Sequence, residues 1–68
     1  MENMSIVYNI QDRIVEKLEA NKAVSFETAI TAAEADLDDE EKSWLNYVAG
    51  GLFSKVKKTK DKRYYTTN

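Results

Sequence analysis

The sequence predicts an α+β fold, with three helices followed by a C-terminal β-hairpin in a single domain over residues 1–68, and three observations carry that prediction. Apolar residues recur at helical spacing through most of the chain as far as Ala49. After Gly50-Gly51 the period shortens into β-prone runs. At 68 residues, without cysteine, histidine or proline, the chain has room for one small core, with neither a staple nor a linker to divide it.

The first helix is expected from about Ser5 to Ala20. Ile6, Ile10, Ile14 and Leu18 recur every four residues with Val7 beside them, and Gln11, Asp12, Arg13, Glu16 and Lys17 lie off the stripe. Ser5 is the expected N-cap, and Asn21-Lys22 the exit, because asparagine tolerates the left-handed conformation at a helix end. Ala23-Val24 reads as a very short strand. Ser25 then caps a second helix from Phe26 to about Ala35, with Phe26, Ala29, Ile30 and Ala33 on one narrow face. Asp36-Leu37-Asp38-Asp39 breaks that pattern. Asp38 and Glu41 have the spacing of a capping box, with Leu37 placed to staple onto the next turns. A third helix follows from Asp39 to about Ala49, with Trp44, Leu45 and Val48 buried. It ends at Gly50-Gly51, where a glycine takes the left-handed position. Two β-prone runs, 52–58 and 63–67, flank a four-residue turn, Thr59-Lys60-Asp61-Lys62.

The net charge of -2 conceals a division. Residues 1–50 hold four basic against eleven acidic side chains, a balance of -7; residues 51–68 hold six basic against Asp61 alone, a balance of +5. Attraction to a polyanion is therefore expected from the last quarter of the chain, with the remainder repelling it unless turned away.

Taken together, Val24-Ser25-Phe26 opening the second helix, the turn at Asp36-Leu37, the run from Trp44 to Phe53 and the basic hairpin closed by Arg63-Tyr64-Tyr65 resemble the winged helix-turn-helix family of small DNA-binding domains. The resemblance extends over nearly the whole chain as a pattern. It implies that the helix from Asp39 to Ala49 is the recognition helix and the hairpin around Lys60-Asp61 the wing. One departure stands out: this recognition helix begins Asp38-Asp39-Glu40-Glu41, four carboxylates that would meet phosphates with repulsion. Lys42, Ser43, Asn46 and Tyr47 remain as groove contacts.

Lys55, Lys57, Lys58, Lys60, Lys62 and Arg63 are the main candidates for nucleic-acid contact. Lysines on a hairpin track phosphate charge without reading bases, and Arg63 suits a minor groove or a bidentate phosphate clamp. The plainer reading is a lysine-protected sheet edge that resists aggregation. Tyr64 and Tyr65 fall on opposite faces of the last strand, one expected in the core and one at the surface. Trp44 is expected to anchor the core.

The acidic run from Asp36 to Glu41 lacks the spacing and central glycine of a calcium loop, and acids at a helix N-terminus have an electrostatic reason of their own. Gly50-Gly51 is too brief for a phosphate-cradling loop, and pairs such as Glu16 and Glu19 stand on an open helix surface. No enzyme, metal or cofactor is expected. The partners expected are double-stranded DNA and a second copy of the chain. Met1, Met4, Ile6, Val7, Tyr8, Ile10, Ile14, Val15 and Leu18 offer more apolar surface than one short core covers, with Val7, Tyr8 or Val15 at a twofold contact. The alternative is an adaptor that binds a protein partner and no DNA. No run reaches the roughly 20 apolar residues of a membrane span, and Met1-Glu2-Asn3-Met4 lacks the basic and apolar segments of a signal peptide, so a cytoplasmic location is expected.

Overall fold

The first helix, α1, runs Glu2–Ala20 and buries Ile10, Ile14 and Leu18 almost completely, with Val15 beside them. This is the stripe that the four-residue recurrence requires. Each such side chain contributes about 1.5–3 kcal/mol by leaving water. The computed structural model describes the backbone of residues 2–51 and 54–67, and within those ranges the side chains from Asn9 onward. Ser5 lies inside α1, three residues after its start, and so is not its N-cap. Val15 is buried in the core, so it is not free for a twofold contact, while the side chains of Met1, Met4, Ile6, Val7 and Tyr8 lie outside the described set.

α1 ends in a double hydrogen-bonded turn. The Ala23 amide donates to the Leu18 carbonyl at 2.8 Å and the Lys22 amide to Glu19 at 2.9 Å. The left-handed residue is Lys22, with φ 59°, and not Asn21. Asn21 instead turns its side-chain Nδ2 back onto the Lys17 carbonyl at 2.8 Å.

The chain then departs from expectation. No helix spans Phe26 to Ala35. A single 3-10 turn, Phe26–Thr28, is followed by an isolated antiparallel bridge at Ile30 and a one-turn coil over 32–36. The cause lies at the other end of the sequence. Ile30 exchanges both backbone hydrogen bonds with Tyr64, at 3.0 and 2.6 Å, and the Thr66 amide donates to the Ala23 carbonyl at 2.9 Å. Long-range pairing has recruited this segment as an edge for the last strand, and it outweighs local helix propensity. Consistent with that, Phe26 and Ala33 are exposed, so the presumed apolar face does not exist as a unit. Ser25 holds the N-cap position of that 3-10 turn, its hydroxyl meeting the Thr28 hydroxyl at 3.0 Å, although no longer helix follows. Ala23-Val24 forms no strand; Ala23 contributes one bond to it.

Thr31 caps the turn that follows. Its hydroxyl accepts from the Glu34 amide at 3.1 Å, and the Glu34 carboxylate accepts from the Thr31 amide at 2.9 Å. The Thr31 amide first, and the Thr31 hydroxyl after it, draw the Glu34 carboxyl below its ordinary value. Asp36, with φ 59°, closes the turn. Leu37 is buried, and Asp38 caps α2, Asp39–Ala49, through the expected box: Asp38 accepts from the Glu41 amide at 2.7 Å and Glu41 from the Asp38 amide at 2.8 Å. The buried face of α2 is Glu41, Leu45 and Val48, with Trp44 only half-buried at its margin.

Gly50 does not adopt the left-handed conformation. It continues right-handed at φ -85°, and a Cβ there would stand 3.0 Å from the Asn46 carbonyl oxygen, so it is close approach that favours glycine. Leu52 and Phe53, expected to begin the first strand, lie outside the described residues. Strand β1, Val56–Lys58, pairs with β2, Tyr64–Thr66, as an antiparallel hairpin in the register Val56 with Thr66, Lys57 with Tyr65 and Lys58 with Tyr64. The described chain is thus α+β, with two α-helices and one two-stranded hairpin. No described helix is long and apolar enough to cross a membrane.

Candidate nucleic-acid interface

The hairpin turn is tighter than the sequence suggests. Thr59 and Arg63 close a three-residue loop, Lys60-Asp61-Lys62: the Thr59 amide donates to the Arg63 carbonyl at 2.8 Å and the Lys62 amide to Thr59 at 3.2 Å. Lys62 is left-handed, φ 62°, the geometry of a type I turn followed by a bulge. The buried Thr59 hydroxyl donates to the Asp61 carboxylate and accepts from the Arg63 amide at 3.1 Å. Asp61 also takes Arg63 Nε at 3.2 Å. The Thr59 hydroxyl first, with a backbone amide and the Arg63 charge, holds the Asp61 carboxyl below its usual range.

This arrangement sorts the six hairpin cations. Arg63 is engaged by Asp61 and stays exposed. Lys55, Lys58, Lys60 and Lys62 are exposed, Lys57 is half-buried, and among the described residues none of these five makes a side-chain hydrogen bond or ion pair. A cation without a protein partner in a short rigid loop is available to an anion at little cost in ordering. Tyr64 is buried in the core and Tyr65 is half-buried on the opposite face, as the alternation of a strand requires.

Lys42, Asn46 and Tyr47 lie exposed on the outward side of α2 together with Asp39 and Ser43. Tyr47 is 69% exposed and meets Trp44 edge-on at 5.8 Å. α2 packs against β1, yet no described side-chain contact joins Lys42, Asn46 or Tyr47 to the hairpin lysines. The hairpin cations share one element but not one face, since Lys57 and Lys58 alternate along β1 opposite Tyr65 and Tyr64, and the α2 residues stand on a separate helix surface.

The four carboxylates at the start of α2 do not behave as a block. Arg13 of α1 spans three of them, donating from Nε to Glu41 at 3.1 Å, from one terminal nitrogen to Glu40 at 3.1 Å and from the other to Asp38 at 2.9 Å. Lys17, one turn on, reaches Glu41 at 2.6 Å and the Asp36 carbonyl at 3.1 Å. Burial alone would raise the Glu41 carboxyl, but the Lys17 ammonium and the Asp38 amide override it and hold it below its ordinary value. Arg13 is raised by Glu40 before its other partners, and Lys17 by Glu41. Asp39 is the exposed acid of the run without such a partner among the described residues.

Arg13 and Lys17 are the residues that sequence reasoning missed. The signal was present: two of the four cations in residues 1–50 stand four apart on α1, flanking the apolar stripe. Compared with protein-family models, with curated proteins and with solved structures, the chain finds no match in any of the three.

Proposed function

We propose that this chain is a small regulatory DNA-binding protein of winged helix-turn-helix architecture, which contacts duplex phosphates through its C-terminal hairpin as the wing. The observation that carries the reading is the group of five hairpin lysines without a partner among the described residues: Lys60 and Lys62 in the loop locked by Thr59, Asp61 and Arg63, Lys57 and Lys58 on β1, and Lys55 just before it. The element order supports it: α1, an edge residue at Ile30, a short turn, α2, then the hairpin. The turn over 32–36 takes the place of the second helix of that architecture. The pairing of Asp38, Glu40 and Glu41 with Arg13 and Lys17 supports it as well, since it neutralises much of the charge that would oppose a phosphate backbone.

In this reading Lys55, Lys57, Lys58, Lys60 and Lys62 supply the phosphate contacts. Lys42, Asn46 and Tyr47 add modest contacts from α2, and Arg63 is a reserve cation released when Asp61 is neutralised. A second copy of the chain binds alongside the first, a point that sedimentation at several concentrations tests directly. The binding test is a titration of labelled duplex across a range of salt concentrations, run beside a variant with Lys57, Lys58, Lys60 and Lys62 changed to Gln. The slope of log affinity against log salt is expected to fall by roughly 0.9 for each lysine removed from a phosphate. No binding at low salt, or binding indifferent to the four changes, would leave the adaptor reading in its place.

A further inference from the structure

At the margin of the core, where Tyr65 packs against it, the hairpin carries an aromatic pair that the phosphate reading does not use. The segment that follows α1 is attached to β2 twice, at Ala23 to Thr66 and at Ile30 to Tyr64. Those anchor points are two positions apart on β2 and seven apart on the incoming segment. The excess is thrown outward as the 3-10 turn, fixed by the Thr28 hydroxyl accepting from the Val24 and Ser25 amides at 3.1 and 3.0 Å. The turn sets Phe26 against Tyr65, with ring centroids 6.4 Å apart and planes at 83°. Phe26 remains 65% exposed and Val24 52%.

Phe26 and Val24 are exposed together beside Tyr65, a small apolar patch whose surroundings say what would cover it. Lys57 stands directly across from Tyr65 in the hairpin register, with Lys55 just before the strand. Edge-on packing leaves the two faces of one ring unused by the pair. Exposed aromatic rings beside unpaired cations complement a ligand that presents flat π-surfaces and negative charge together, and an unpaired stretch of nucleic acid does so. In an intact duplex the bases are stacked on each other and their faces are closed to such a ring.

Resting on the wing reading above, we propose that Phe26 and Tyr65 form a stacking platform for an unpaired nucleobase, so that the preferred ligand is a duplex with a single-stranded tail. The lysines hold the phosphates of the duplex and the tail, and the aromatic pair takes a base from the tail. The preference is then for nucleic-acid structure and not for sequence, because every base has a π-face.

The test uses the whole chain and three labelled probes: a blunt duplex, the same duplex with a short thymine tail, and the same duplex with an abasic tail of equal phosphate count. The thymine tail is expected to tighten binding roughly tenfold over the blunt duplex, and the abasic tail to recover only the small salt-dependent part. Phe26→Ala, at an exposed position, is expected to abolish the base-dependent gain while leaving blunt-duplex affinity unchanged. Phe26→Trp is expected to keep the gain and to show fluorescence quenching with the thymine tail alone. Equal gains from thymine and abasic tails, or a gain that survives Phe26→Ala, would overturn the platform and leave the wing reading intact. A base-dependent gain with no contribution from the hairpin lysines would overturn the wing reading and keep the platform. Absence of binding to all three probes would overturn both.

Discussion

Glu41 is a carboxylate with no exposed surface in a chain of 68 residues, and it is tolerable because Lys17, Arg13 and the Asp38 amide meet its two oxygens. Removing the charge leaves two cations facing a neutral amide, so Glu41→Gln is expected to destabilise the fold by about 1–3 kcal/mol, read by chemical denaturation. The pH dependence has a fixed sign. Glu41 and Asp38 are held below their ordinary carboxyl values, so their contribution is complete above roughly pH 5 and is lost as pH falls through the lowered values. Lys17 is raised, so its contribution is complete below about pH 10 and is lost as pH rises through the raised value. Thermal melts are expected to show a plateau between those limits, with a shallower acid limb in Glu41→Gln. Thr66 presents the opposite case: its buried hydroxyl has no hydrogen-bond partner among the described residues, and Thr66→Val is expected to be neutral or stabilising by up to about 1 kcal/mol. Asp39 is exposed, and Asp39→Asn is expected to strengthen duplex binding about twofold at low salt, with the gain disappearing as salt screens it.

Elements specified by adjacent residues were legible in the sequence, and those specified by distant ones were not. α2 has its expected bounds because Asp38 and Glu41 mark its start within a few residues of each other. The hairpin was legible from its change of period, though a three-residue loop with Lys62 left-handed replaces the four-residue turn. The helix expected from Phe26 failed because the Ile30 bridge to Tyr64 crosses half the chain and leaves no periodic trace. Lys22 occupies a conformation that a side chain resists, so Lys22→Gly is expected to stabilise the protein by up to about 1 kcal/mol in a thermal melt. A loss of stability there would mean that the Lys22 side chain has a role beyond the turn.

At the scale of the molecule, the division between an acidic body and a basic hairpin was legible from charge alone. The way the body handles its acids was not, because Arg13 and its three carboxylates are separated by at least 25 positions. That clamp does two things at once: it fastens α1 to the start of α2, and it reduces the field that would oppose a polyanion approaching the hairpin. In the function proposed above, anion contact falls to the hairpin end of the chain and scaffolding to the α1–α2 body. Amide chemical-shift mapping during titration with a short DNA duplex at low salt tests this most directly. The largest shifts are expected from Lys55 to Arg63, with smaller ones at Lys42, Asn46 and Tyr47, and none at Asp12 or Glu16 on α1. Shifts centred on α1, or no shifts at the hairpin when the duplex is in excess, would contradict it.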